Sequence, residues 1–156
     1  MLAGRPDAAE AAIRARLEGR LVRRDDGTLV SFDLLLGLAL LEQGRFSEAH
    51  DVVERRGGAE GEDRQAHVTW CGIRARATAE RGNSVEAERI ARDGVAIAAK
   101  TDELNTHAES LVHLGWVLRQ TGDPDGAAGA VGEALELYER KGNIAAAALV
   151  RSSFPG

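Results

Sequence analysis

The sequence predicts an all-α fold, a stack of antiparallel helix pairs, and three observations carry that expectation. Alanine supplies 27 of the 156 residues and aromatics only 4%, which is helix chemistry because alanine loses no side-chain entropy in a helix. A short pattern recurs four times, as Gly4-Arg5-Pro6-Asp7-Ala8-Ala9, Gly44-Arg45-Phe46-Ser47-Glu48-Ala49, Gly82-Asn83-Ser84-Val85-Glu86-Ala87 and Gly122-Asp123-Pro124-Asp125-Gly126-Ala127. Each copy has Ala five residues after Gly, and the glycines stand 40, 38 and 40 residues apart, a period that marks stacked repeats. The segments flanking each turn carry helical stripes: Leu111, Leu114, Gly115 and Leu118 before Gly122, then Ala127, Val131, Ala134 and Leu135 after it. Two facing stripes make a helix pair. One pair cannot bury its apolar faces alone, whereas stacked neighbours can, which is the logic of a solenoid.

The elements follow in order from this pattern. Helices are expected at 6–22, 30–43, 46–56, 63–81, 84–99, 102–121, 124–140 and 143–152. Each turn glycine sits just past a helix, where a left-handed backbone costs it little. Asp7, Ser47, Ser84 and Asp123 or Asp125 then cap the following helix or lie in its first turn. Pro6 and Pro124 are tolerated there because early helical N–H groups lack partners. The run Arg23-Arg24-Asp25-Asp26-Gly27-Thr28 reads as a turn, and a short hairpin of Leu21-Val22 with Leu29-Val30 is the less favoured alternative. Gly57 to Asp63 reads as a loop. The whole chain, 1–156, is one repeat domain: a partial unit at 1–24, units at 30–56, 63–99 and 102–140, and a terminal helix at 143–152. Residues 1–22 read as the second helix of a pair whose first helix is absent, so the chain reads as a fragment or as one in which something else replaces that helix.

Composition removes several function classes. The net charge of −5 argues against a general grip on nucleic acid, which needs a basic face for phosphates. The longest apolar stretch, Leu34 to Leu41, falls short of the ~20 residues that cross a bilayer, and Met1 to Ala12 lacks the apolar core of a signal peptide. A single cysteine, Cys71, excludes an internal disulfide framework and fits a reducing compartment. A soluble, cytoplasmic protein is the expectation. The excess of arginine over lysine, 18 to 2, reads as genome composition.

The alternation of large and small residues at Leu111, Leu114, Gly115, Leu118, Gly122, Ala127, Val131 and Ala134 resembles the tetratricopeptide repeat family. Leu36, Gly37, Leu40, Gly44, Ala49 and Val53 match it nearly as well. The period exceeds the family's usual length of about 34, so helices or loops are longer here. In the third copy two registers stay open. The register set by Gly82 puts Arg74 where a large apolar residue belongs, and a slide by one puts Trp70, Ile73 and Ala77 on the stripe. The end, from Tyr138 through the Ala-rich stretch to Val150, is similar to the C-terminal helical repeats of large bacterial signalling proteins that join an ATPase core to a DNA-binding or cyclase domain. The resemblance implies a right-handed superhelical stack of about three and a half pairs whose first helices line a concave groove.

On a helical wheel, Asn105, Glu109, Val112, His113, Trp116 and Gln120 gather on a side away from the Leu111 stripe, with Arg119 at the margin. The resemblance makes this face the groove floor with Trp116 as anchor, aromatic and arginine side chains being usual carriers of binding energy. Under the Gly82 register Thr69, Arg76 and Glu80 line the same groove, and Leu34, Leu35, Leu38 and Leu41 form an apolar equivalent in the first full unit. Some family members clamp a chaperone's C-terminal carboxylate with Lys and Asn on this face; Leu, Thr or Glu stand there in this chain, which argues against such a tail.

Other chemistry is weakly supported. No phosphate loop or dinucleotide turn occurs. His67 and Cys71 share a helix face but lack the second ligand pair a structural zinc needs, and a buried thiol beside a hydrogen-bonded histidine is the preferred reading. Arg14, Arg16, Arg20, Arg23 and Arg24 form a basic cluster read as a solvated surface, as are Glu86 and Glu88 beside Arg89 and Arg92. The sequence thus points to a non-catalytic module without cofactor or metal, binding a protein or peptide partner rather than nucleic acid or membrane. A small-molecule or signal-peptide sensing domain of a larger bacterial regulator and a self-associating module are the alternatives.

Overall fold

Eight helices follow one another in a computed structural model that describes residues 6–20, 26–55 and 63–155, with the side chains of 18–20 and 26–31 excepted. They are α1 (Pro6–Arg20), α2 (Asp26–Glu42), α3 (Phe46–Glu54), α4 (Arg64–Glu80), α5 (Ser84–Ala98), α6 (Leu104–Thr121), α7 (Pro124–Lys141) and α8 (Ile144–Ser153). No strand occurs among the described residues.

The turns are built as the repeat pattern requires. Gly44, Gly82, Gly122 and Gly142 all have positive φ. At Gly122, φ is 92° and its N–H donates to the Leu118 carbonyl, closing α6; a side chain there would meet the crowding that makes left-handed backbone costly. Of the two aspartates that could cap α7, Asp123 does so, accepting from the Gly126 N–H at 2.9 Å. Asp63 and Asn143 cap α4 and α8 in the same way. The predicted turn at 23–28 is corrected in its second half. Asp26, Gly27 and Thr28 belong to α2, because the apolar run downstream recruits weak helix formers that local propensity alone would leave out. Leu29 and Val30 are helical too, which removes the hairpin alternative; Leu21 and Val22 lie outside the described residues, as does most of the 57–63 loop.

Pairing follows the order α2 with α3, α4 with α5 and α6 with α7, while α1 packs on α2 and α8 on α7. Between pairs, α4 touches α2 and α6, α3 touches α4 and α5 touches α6, whereas α3, α5 and α7 make no comparable contact with one another. The first helices therefore crowd together and the second helices splay, so the first helices form the inner wall of the stack. Glu10 pins α1 to the first turn, accepting from Gln43 Nε2 at 2.9 Å and from Arg45 at 2.6 Å.

The core has two clusters. One gathers Ile13, Leu36, Leu40, Leu41, Ala49, Val52, Val53 and Ile73; the other gathers Cys71, Ala75, Leu111, Leu114, Leu118, Val131, Ala134 and Tyr138 with their neighbours. Helix α4 contributes to both. This resolves the two registers open in the third copy: each sends small or apolar residues into a core, on opposite flanks of one helix. Cys71 and Ala75, set by Gly82, face the second cluster; Ile73 faces α2 and α3, and Trp70 touches both clusters. Arg74 leaves the core, forming an ion pair with Glu54 at 3.1 Å and covering the Trp70 ring.

Small residues set how closely helices approach. A methyl group built on Gly115 would lie 2.7 Å from Val131 Cγ2, and one on Gly37 3.0 Å from Ile73 Cδ1. On the outer surface, Arg89 pairs with Glu86 and Asp93, and Arg92 with Glu88, as the solvated-face reading expects. Of the basic cluster, Arg14 pairs with Glu10 at 2.8 Å and Arg16 is exposed.

Candidate functional site on the inner wall

The repeat offset places Leu38 of α2, Arg76 of α4 and Trp116 of α6 at equivalent positions, and Glu42, Glu80 and Gln120 at another. Contacts across the wall centre on this row. The Arg76 guanidinium lies over the Trp116 ring at 4.6 Å from its centroid, and the Phe46 ring is tilted against Trp116 at 5.4 Å. Arg76 has a side chain only 12% exposed, and its one ion-pair contact among the described residues is Glu42 at 3.7 Å. That distance is too long for a hydrogen bond, and the buried Nε has no partner. Burial pushes the Arg76 pKa down, opposed by Glu42.

His113 stands between α4 and α6. A methyl group built on Gly72 would sit 2.4 Å from His113 Cδ2, 2.7 Å from Cγ and 2.8 Å from Nε2, so the missing side chain at Gly72 is what admits the ring. His113 Nδ1 is buried and has no partner. Desolvation, with Arg76 adding repulsion, pushes the histidine pKa down to about 3, so the ring is neutral. Val112 is half-buried against the second core cluster. Glu109 is reached by water yet flanked closely enough by protein that desolvation raises its carboxyl, as expected in a concave setting.

The structure brings Arg76, His113 and Trp116 together and sends other candidates elsewhere. Asn105 accepts from Asn143 Nδ2 at 3.2 Å and so tethers α6 to the start of α8. Arg119 donates to the Ser153 carbonyl at 3.2 Å and lies over the Phe154 ring at 4.5 Å, holding the end of α8. Gln120 and Glu80 are exposed, and Thr69 is half-buried with its hydroxyl donating to the Gln65 carbonyl. Phe46 and Glu42 are the participants that sequence reasoning did not name. The offset linking Glu42 to Glu80 and Gln120 could have found the second. Phe46 carried no such signal, because it reaches the wall from the start of α3.

A family model for the tetratricopeptide repeat matches residues 107–141, and a second model of the same description matches 30–55 and 71–93. The chain belongs to the tetratricopeptide-repeat family. The matched segments cover all three helix pairs in part and more than half of the sequence. No curated protein and no solved structure matches the chain. Tetratricopeptide repeats generally mediate protein–protein interaction, and proteins built from them are typically scaffolds without a catalytic centre.

Elsewhere, Cys71 is 3% exposed in the core, and burial pushes its thiol up to about 11. His67 stacks beside Trp70 at 5.7 Å. No group of three or more metal-ligating side chains occurs among the described residues, and no described helix is long and apolar enough to cross a membrane.

Proposed function

We propose that this chain is a non-catalytic binding module that holds a protein or peptide along the inner wall, with Trp116 as anchor. The observation that carries this reading is the cluster of the half-buried Phe46 and Trp116 with the mostly buried Arg76, on the side where the first helices crowd together. Aromatic and arginine side chains in partly desolvated settings supply most of the energy at interfaces. Recognition is by shape and side-chain chemistry on a preformed surface, with no bond made or broken. Glu109, Val112, His113, Gln120, Thr69 and Glu80 surround that surface, and Asn105 and Arg119 act at one remove by holding α8 to α6. In the setting of a larger bacterial signalling protein in the cytoplasm, the module couples partner capture to an attached effector.

The test is affinity capture from the native cytosol with wild type, Trp116→Ala and Arg119→Ala, read by mass spectrometry. Partners retained by wild type should be lost from Trp116→Ala, with helicity by circular dichroism unchanged; equal capture by the variant rejects the assignment. Because Arg119 holds Phe154, Arg119→Ala should weaken capture less than Trp116→Ala. Self-association is the second reading, favoured by Ile144, which is 76% exposed at the start of α8. A concentration-dependent mass in solution that Ile144→Glu abolishes would select it.

A further inference from the structure

The Arg76 side chain is seven-eighths out of water, its buried Nε–H has no hydrogen-bond partner, and its Nη1 stands 3.7 Å from Glu42 Oε1. That Nε–H has lost hydration without replacing it, which is costly. The ring of Trp116 supports one face of the ion, and a planar fork so supported is matched by a carboxylate. Glu42 is the group nearest to supplying one. It stays 3.7 Å away and is itself 66% exposed, so its charge is held mostly by water. Glu80 and Arg119 contribute fields of opposite sign at Arg76, and neither hydrogen-bonds it.

We propose that Arg76 is the receptor for an aspartate or glutamate side chain within the partner peptide, received against Trp116 in the place that Glu42 approaches but does not fill. This rests on the groove reading above and names the chemistry of its ligand. The acid is internal to the peptide because the wall continues on both sides of Arg76. Towards α2 stand Leu38 and Leu35, the latter 41% exposed; towards α6 stand Trp116 and Val112. Packed helix axes lie about 8–10 Å apart and an extended chain rises about 3.3 Å per residue. A peptide crossing the wall therefore carries an apolar residue about three positions from the acid, the first on Leu35 and Leu38 and the second on Arg76.

The experiment selects a displayed random-peptide library on the full chain, on Trp116→Ala and on Arg76→Gln. Wild type should enrich peptides with an acid at one fixed position and an apolar residue about three places away. Arg76→Gln should lose the acid preference, and Trp116→Ala should lose the enrichment. The best peptide is then synthesised with Glu and with Gln at the fixed position, and its binding is followed by fluorescence anisotropy. The Gln peptide should bind wild type about tenfold more weakly and Arg76→Gln equally well. Glu42→Gln should tighten the Glu peptide, because it removes the competing carboxylate; a purely structural Arg76 predicts no such gain. Changing the peptide leaves the protein intact, so the comparison stands even if an Arg76 variant folds poorly. Enriched peptides without a fixed acid, or Gln tolerated in place of Glu, would overturn the proposal while Trp116-dependent binding kept the groove. Absence of Trp116-dependent enrichment overturns both. A peptide that ends at its acid and binds as well refutes the internal placement, and a phosphoserine peptide that binds more tightly than the Glu peptide refutes the carboxylate.

Discussion

Replacing Gly72 by alanine tests the wedge that joins the second and third pairs. The added methyl would meet the His113 ring along a whole edge, at 2.4 Å from Cδ2, 2.7 Å from Cγ and 2.8 Å from Nε2. Ordinary carbon contacts begin near about 3.5 Å, so the ring must retreat by about 1 Å into packed surroundings. Overpacking of that kind costs roughly 1–3 kcal/mol, and alanine returns about 1 kcal/mol through helix propensity. The contact involves the ring's root as well as its tip, which places the cost at the upper end. Gly72→Ala should therefore destabilise the chain by about 1–2 kcal/mol, lowering the melting temperature by about 2–4 °C per kcal/mol. In a His113→Ala background the clash is gone and the same change should stabilise by about 1 kcal/mol. Urea titrations of the four proteins, followed by circular dichroism, give the coupling directly. A Gly72→Ala protein more stable than wild type, with His113 in place, would refute the wedge.

Three further outcomes follow from the same geometry. An unfolded histidine titrates near about 6.5 whereas folded His113 resists protonation down to about 3, so only the unfolded chain takes up this proton in between; stability is full above the first value and falls as pH drops, by about 2 kcal/mol from pH 7 to pH 5. Urea midpoints at those two pH values should show that loss in wild type and a clearly smaller one in His113→Leu. Gly122→Ala forces a side chain into a backbone with φ of 92° and should cost about 1–2 kcal/mol by the same titration, with helicity below the transition unchanged. Cys71, whose thiol burial pushes up to about 11, should resist a thiol-specific reagent at neutral pH in the folded chain and react on addition of denaturant; prompt labelling without denaturant would show the α4–α5 seam to be open.

The turns were legible because their chemistry is local. Gly44, Gly82 and Gly122 announce positive φ and Asp123 announces the cap of α7, so pairs and period could be read directly, although Ser47 and Ser84 lie in the first turns of α3 and α5 and those helices start without a side-chain cap. The start of α2 was not legible, since Asp26 to Thr28 look like a turn until packing downstream is counted. On the inner wall, the wheel of α6 singled out His113 and Trp116 but could not show that they do different work. Trp116 meets Phe46 and Arg76, whereas His113 fills the space over Gly72. Both facts depend on which residues of other pairs arrive opposite them. Asn105 and Arg119 share that wheel face, yet α8 claims them. A helix taken singly shows which residues leave its own pair and is silent on what awaits them.

Helix α4 is a party wall of 17 residues between two oily rooms. Stripping the amino-terminal room would wet Ala66 and Ile73 on one side while Cys71 and Ala75 still faced a dry interior on the other. Neither room can be vacated without raising the upkeep of its neighbour, so the chain should come apart as coupled halves and not bead by bead.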